Sequence, residues 1–415
     1  MIINVNEYSG DCNCGKTHET YTEFCVIKQG ALKNFTAIAK EYGFNGNSVA
    51  IYDENTYEAT KGVRPSVTHE IILSPTNLHA DEHGVELAEK QLPKNVNYLV
   101  AVGSGTIHDI TRHIAYSHNI PFISCPTAAS VDGFCSSVAA MTWKGFKKTF
   151  TAVAPKIVIA DLDIIMKAPT RLTNSGVGDM LGKFIALTDW KISNVLTGEY
   201  LCQKIYDLSL KATNAILNSA SGLKRNDVGA YENLTYGLLL SGIAMQLLGN
   251  SRCASGAEHH ISHFIEMQPQ ILNAQSTALH GEKVGVGTLI AFNEYHELAK
   301  TGNEFLNYPI ISDSYIENAF GLKLSPSIIA ENSKNCAFNI TANDMQNNWN
   351  KIVEIINSLP SSETLIEIYN KLGLKQSLED IGVPSSSIND ILKYSPLVRN
   401  RVTLMRLRRI IKQRI

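Results

Sequence analysis

One aspartate and four histidines between positions 179 and 280 have the types and spacing that metal chemistry needs. Gly176-Val177-Gly178-Asp179 sets a carboxylate at the start of a helical stretch, His259, His260 and His263 cluster in SGAEHHISHFIE, and His280 opens HGEKVGVGT. His259 and His263 are four residues apart and share a helix face, whereas His260 is turned away by about 100°. A lone HxxxH pair is more often structural. One carboxylate with two imidazoles from separate helices is a different case, because that donor set suits a divalent ion and leaves coordination positions for a substrate oxygen.

The first half carries features of nucleotide binding. Gly103-Ser104-Gly105-Thr106-Ile107-His108-Asp109 follows the apolar run YLVAV and opens a helix, so backbone N–H groups and the helix dipole there can cradle a pyrophosphate. His108 stands where a full GxGxxG would have its third glycine. Asp53, at the end of an earlier strand, can accept the ribose hydroxyls of an adenosine and would repel a 2′-phosphate. In the usual dinucleotide fold that acid follows the glycines; here it precedes them, which argues for a variant fold. The segment PTAASVDG, Pro126 to Gly133, offers hydroxyls to a nicotinamide or phosphate and Asp132 to a substrate hydroxyl, although a helix cap and turn account for its Ser and Asp as well.

These groups need elements to hold them. Periodicity predicts a helix over 31–42 ending at Gly43, strands over 48–52, 69–73, 98–102, 121–125 and 156–160, a helix over 106–118 and a polar hairpin over 141–153 turning at Gly145. Strand, glycine turn, helix, strand is a βαβ unit. After Thr170 the texture becomes helical, with stretches over 182–195, 200–220, 231–248 and 284–298 and no strand signal. The expectation is an α/β Rossmann-like nucleotide-binding domain over 1–167, then an all-α metal-binding and catalytic domain over 168–415, with the active site in the cleft between them. The break falls at Lys167-Ala168-Pro169, where proline disfavours helix in the residue before it. The C-terminal VRNRVTLMRLRRIIKQRI places Leu404, Leu407 and Ile411 on one stripe, predicting a basic-faced helix docked on its own domain.

Composition limits the function classes. With 37 Lys and Arg against 39 Asp and Glu in 415 residues, the net charge of -2 excludes a protein driven electrostatically to nucleic acid or anionic lipid. No apolar run reaches the roughly 18 residues that span a bilayer, and the start MIINVNEYSGDCNCGK lacks the pattern of a secretory leader, so a soluble cytoplasmic protein is expected. Eight cysteines are too few for a disulfide scaffold in a chain this long, and reduced thiols are expected. The one local cluster is Cys12-x-Cys14 with His18 and Cys25 nearby; CxC with a single His fits no strong zinc pattern, so a plain N-terminal loop or hairpin is the reading there.

Taken in order, GSGTIHD, PTAASVDG, GVGD, the HxxxH helix and HGEKVGVGT resemble the superfamily of iron-containing alcohol dehydrogenases, glycerol dehydrogenases and dehydroquinate synthases. Within it the sequence is most similar to the sn-glycerol-1-phosphate dehydrogenase family, in its bacterial branch, over roughly residues 45–300 and again at VRNRVTLMRL. The resemblance implies one divalent metal ion, zinc or nickel, on Asp179, His259 and His280, with His263 near the substrate and Asp132 on a substrate hydroxyl. It implies NAD(P) contacts from Asp53, Gly103, Ser104, Gly105, Thr106, Ile107, Asp109, Thr127, Ser130 and Ser136. His260 has no role in that pattern, and Asp179 counts against a dehydroquinate synthase, whose first ligand is Glu. The implied activity is metal-assisted hydride exchange between dihydroxyacetone phosphate and sn-glycerol 1-phosphate by a homodimer with no nucleic-acid or membrane partner. Lys147, Lys148 or Lys156 is the expected source of charge for the phosphate. A dehydrogenase of glycerol or another polyol, and a non-catalytic metal- or nucleotide-binding homologue, are the competing readings.

Overall fold

The computed structural model describes residues 1–413, apart from the side chains at 146–148, 303 and 413. The chain divides into two compact units, Met1–Met180 with Asn214–Asn250 and Leu181–Thr213 with Ser251–Ile415.

The strands of the first unit are, in chain order, β1 (Ile2–Asn4), β2 (Gly10–Asp11), β3 (Thr17–His18), β4 (Phe24–Lys28), β5 (Ser48–Asp53), β6 (His69–Leu73), β7 (Tyr98–Gly103), β8 (Phe122–Pro126), β9 (Val138–Trp143), β10 (Phe146–Thr151) and β11 (Ile157–Asp161). Seven of them form one sheet in the order β1-β4-β11-β8-β7-β5-β6, parallel except for the β1 edge. β7, β8 and β11 are buried along their whole length, the pattern of strands covered on both faces. One core holds Phe35, Tyr52, Val100 and Ile159; the other holds Ile51, Leu99, Ile110 and Phe122. The covering helices include α1 (Phe35–Glu41), α2 (Glu54–Ala59), α3 (Glu82–Glu89), α4 (Gly105–Ser117) and α5 (Leu162–Ile165). The strand order explains why the acid precedes the glycines. After β5 the chain steps outward to β6 and returns to β7 on the other side of β5, so Asp53 and the Gly103 turn flank the switch point where open α/β sheets bind ligands.

Two helices, α6 (Thr170–Thr197) and α7 (Gln203–Lys224), run unbroken through the points at which the units divide. α8 (Val228–Leu248) is buried over most of its length, starts at the cap Asp227 and ends at Gly249 in the left-handed region, φ 75°. Composition places it with the helical domain, yet it packs in the first unit, where Gln246 bonds the backbone of Tyr21 and Thr22.

The second unit contains α9 (Ala257–Glu266), α10 (His280–Thr301), β12 (Gly302–Phe305), α11 (Asp313–Asn332), α12 (Ala342–Asn357), α13 (Ser362–Leu372), α14 (Ile388–Tyr394), α15 (Leu404–Leu407) and β13 (Ile411–Gln413). Its hub is Asp189, a fully buried carboxylate on α6 that accepts bonds from Ala257 N–H, the Tyr295 hydroxyl and Leu404 N–H. The C-terminal segment corrects the expected long helix. It forms only one turn at α15, and β13 then pairs antiparallel with β12, a strand pair that periodicity does not predict. The physical reason is that Arg406 is fully buried and bonds Asn332, Cys336 and Asn400, so its guanidinium cannot lie on a solvent face. Leu404, Leu407 and Ile411 are buried as expected.

Candidate active site

The nucleotide half is assembled at the carboxyl ends of the strands. Asp53 closes β5 and caps α2, accepting Thr56 N–H at 2.8 Å while the Thr56 hydroxyl meets its own N–H at 3.0 Å. Gly103 ends β7, and Ser104 is the N-cap of α4 without making a side-chain capping bond, so the amides of Gly105, Thr106 and Ile107 open the helix at the turn. Thr127 N–H donates to Gly103 O at 3.0 Å and ties that turn to the PTAASVDG segment.

His108 proves to be a brace for this turn. Its Nδ1–H donates to Ser104 O at 3.0 Å and its Nε2 accepts the Ser124 hydroxyl at 2.7 Å, joining the helix start to β8. Burial, reinforced by the charge of Arg112, pushes its pKa down to about 3, which keeps the ring neutral. Arg112, one turn after Asp109 and 3.6 Å from it, is also fully buried; it donates to the carbonyls of Gly133, Phe134 and Val138 and so holds the turn that carries Asp132. Sequence reasoning missed Arg112, although its i,i+3 spacing from Asp109 was visible.

Of the hydroxyls named from sequence, Ser136 exchanges bonds with Val138 at 3.1 Å, whereas the buried Ser130 Oγ has no hydrogen-bond partner among the described residues. Such an orphaned polar atom, beside an uncapped helix start, fits a bound nucleotide. Of the lysines expected to meet a phosphate, Lys156 lies 3.4 Å from Glu23 in an ion pair, and the side chains of Lys147 and Lys148 fall outside the described residues.

Asp179 lies on α6 and is wholly buried; its Oδ2 accepts the backbone N–H of Asp132 at 3.0 Å, while the Asp132 carboxylate accepts the Ser241 hydroxyl at 2.8 Å. Close packing sets the path of α6. A Cβ on Gly176 would collide with the carbonyl oxygen of Ala129, and one on Gly182 would lie 2.8 Å from Val284 of α10 and 3.0 Å from Glu258 of α9. Asp179 is one helical turn before Gly182 on the same face, as His280 is one turn before Val284 on α10.

Three imidazoles cluster on α9 and α10: the His259 ring centroid is 6.0 Å from His263 and 5.3 Å from His280, and those of His263 and His280 are 5.5 Å apart. Each is oriented through Nδ1 by a carboxylate. His259 Nδ1–H donates to Glu258 at 2.7 Å, and Glu266 receives His263 at 3.1 Å and His280 at 2.9 Å, with the Lys283 ammonium 3.6 Å away. A carboxylate behind Nδ1 is the arrangement of carboxylate–histidine–metal units. Burial, with smaller effects from the positive charges of His280 and Arg399, drives His263 down to about 3 against the opposing pull of Glu266. His260 stands outside the cluster, buried, and burial drives its pKa well below the ordinary range. Neither Glu258 nor Glu266 was singled out from sequence, though Glu266 stands three residues after His263 in the same helix.

Asp179, His259 and His280 each present a ligand atom within 4.8 Å of the other two. His263, Glu266 and His280 also meet this spacing, but both Glu266 oxygens are already occupied by Nδ1–H donors. Two imidazoles fixed at Nδ1 and a carboxylate fixed by a backbone amide therefore fit one divalent ion.

Residues 26–169 match the family described as iron-containing alcohol dehydrogenase. A probable glycerol dehydrogenase of Sinorhizobium meliloti shares the fold with a TM-score of 0.61 and 17% identity, over 93% of this chain and 97% of that one. The sequence is 31% identical over 414 residues to the glycerol-1-phosphate dehydrogenase [NAD(P)+] of Bacillus licheniformis, covering 97% of this chain and 93% of the relative. It is 35% identical to the enzyme of the same name from Pyrococcus furiosus, over 64% of this chain and 76% of that one. The chain belongs to the glycerol-1-phosphate dehydrogenase family.

Proposed function

We propose that this protein interconverts dihydroxyacetone phosphate and sn-glycerol 1-phosphate with NAD(P), using one divalent metal ion, zinc or nickel, held by Asp179, His259 and His280. The observation that carries the reading is the grouping of those three ligand atoms in a chain whose near full-length relatives carry that enzyme name. When bound, the ion supplies Lewis acidity to the carbinol oxygen and the nicotinamide supplies or accepts the hydride.

The protein's own residues do the positioning. The amides at the start of α4 take the pyrophosphate, Asp53 the adenosine ribose, and Thr127, Ser130 and the Asp109 region the remainder of the nucleotide. Glu258 and Glu266 fix the imidazoles so that no reorganisation is needed at the moment of reaction. Asp132, held by Ser241, receives a terminal hydroxyl of the substrate. His263, neutral at physiological pH, orients that hydroxyl without adding positive charge. A cytoplasmic homodimer is the proposed working form.

Chiral analysis of the product made from dihydroxyacetone phosphate and NADH tests the assignment. Formation of sn-glycerol 1-phosphate is expected, with glycerol a poor substrate, because a pocket made for a phosphate leaves its polar groups unsatisfied when the phosphate is missing. The sn-3 enantiomer, or glycerol turnover with comparable kcat/KM, would exclude it.

A further inference from the structure

The N-terminal cysteines lie on a hairpin, one of the two forms expected of this segment. β2 and β3 form a short antiparallel hairpin in which Gly10 faces His18 and Asp11 faces Thr17, closed by Cys12 N–H to Lys16 O at 3.1 Å and Gly15 N–H to Cys12 O at 2.9 Å. Gly15 takes φ 82°, the left-handed conformation the turn requires. A two-residue ladder of this kind is marginal on its own. The turn brings Cys14 Sγ to 3.3 Å from His18 Nε2.

The other ring nitrogen identifies the tautomer. His18 Nδ1 is 2.8 Å from the carbonyl oxygen of Leu247, which can only accept, so Nδ1 carries the proton and the Nε2 lone pair faces the thiol. His18 is 3% exposed, and its Nδ1–H satisfies a carbonyl in the last turn of α8. A backbone-anchored, buried imidazole aimed at a thiol is the usual posture of a metal-ligating histidine. The buried Cys202, which immediately precedes α7, completes the set: Cys12, Cys14, His18 and Cys202 each present one ligand atom, all within 4.8 Å of one another.

We propose that these four residues form a structural zinc site of the Cys3His type, separate from the Asp179, His259 and His280 set. With Zn–S near 2.3 Å and Zn–N near 2.0–2.1 Å, the edges of a tetrahedral site are about 3.8 Å between sulfurs and about 3.6 Å between sulfur and nitrogen. The observed 3.3 Å between Cys14 and His18 is close to the latter, and the remaining separations are all within 4.8 Å. Four protein ligands close the coordination sphere, which makes the ion structural and not catalytic. Loading releases the three thiol protons and leaves a site of net charge -1. Its role is to lock the hairpin that α8 receives through His18.

The test uses the full chain carrying His259→Ala and His280→Ala, purified under reducing conditions. Elemental analysis should find about one zinc per chain, released by a mercurial thiol reagent, and the cobalt-substituted protein should show a thiolate-to-cobalt charge-transfer band in the near ultraviolet. Adding Cys14→Ser or Cys202→Ser should abolish both signals, and Cys336→Ser should leave both intact. Should a serine variant fail to fold, the cobalt spectrum of the wild-type chain decides by itself. No charge-transfer band, metal released without need of the mercurial, or a disulfide between any two of Cys12, Cys14 and Cys202 would overturn the proposal. The thiolate band is insensitive to the N/O ligand set, so failure here and failure of the catalytic assignment are distinguishable.

Discussion

Glu266→Gln should weaken metal binding without unfolding the protein. The Glu266 carboxylate, only 10% exposed, receives Nδ1–H bonds from both His263 and His280 and faces the Lys283 ammonium. Glutamine keeps the volume but offers one acceptor oxygen and one amide donor, so one of the two imidazoles meets a donor where it had an acceptor. A hydrogen bond to a charged group contributes about 1.5–3 kcal/mol, and losing the partner that orients a ligating histidine lowers metal affinity about 10–100-fold. The two ranges agree, since that affinity loss is about 1.4–2.7 kcal/mol. Competition against a chelator of known affinity, performed with zinc and with nickel, measures the ratio directly. Thermal melts of the metal-free proteins separate a folding defect from a binding defect. A folded Glu266→Gln protein that binds within twofold of wild type would refute the orienting role of Glu266.

Part of the acid sensitivity should trace to His108, alongside the equally depressed His263. Its folded pKa of about 3 lies below the ordinary value of 6.5, so between those limits the unfolded state holds more protons and stability falls as the pH drops. At about 1.4 kcal/mol per pH unit, the loss between pH 7 and pH 5 is about 2 kcal/mol; denaturant titrations should show it shrinking by that amount in His108→Gln, and an equal loss in both proteins would contradict it. For the cofactor, wild type should prefer NADH and Asp53→Gly should gain relative kcat/KM for NADPH, since the helix cap lost with it costs little when glycine replaces it. A wild-type preference for NADPH, or no shift in the ratio, would remove Asp53 from the ribose site.

Much of the sheet was legible because its strands announce themselves twice, by uniform apolarity and by the turn that follows. β5, β6, β7, β8 and β11 begin and end within one residue of the predicted limits, and the hairpin of β9 and β10 turns at Lys144 and Gly145, both at positive φ. β1 and β4 were not foreseen, because three- and five-residue strands beside a cysteine-rich loop carry no such signal. The C-terminal segment misled because a leucine stripe with arginines reads as an amphipathic surface helix, whereas Arg406 has buried acceptors that only the folded chain supplies. At the candidate site the shared helix face of His259 and His263 could be argued from spacing, and the rings of His259, His263 and His280 do cluster. The carboxylates behind them could not, since an acid beside a histidine in sequence points away from it as often as toward it. Cys202 lies 188 residues from Cys14, a distance that no local pattern spans.

The bond from the Asp132 amide to the Asp179 carboxylate bears on how the site can change over evolutionary time. The group steadying the acid is main chain, so almost any residue at position 132 would still supply it; only proline, which has no N–H, would withdraw it. The Asp132 side chain, by contrast, faces Ser241 and can be exchanged without touching that amide. Under the proposed role of the Asp132 side chain, substrate preference and the placement of the acid would be written into different atoms of one residue. A lineage could then change the side chain at position 132 while the carboxylate of position 179 keeps its anchor.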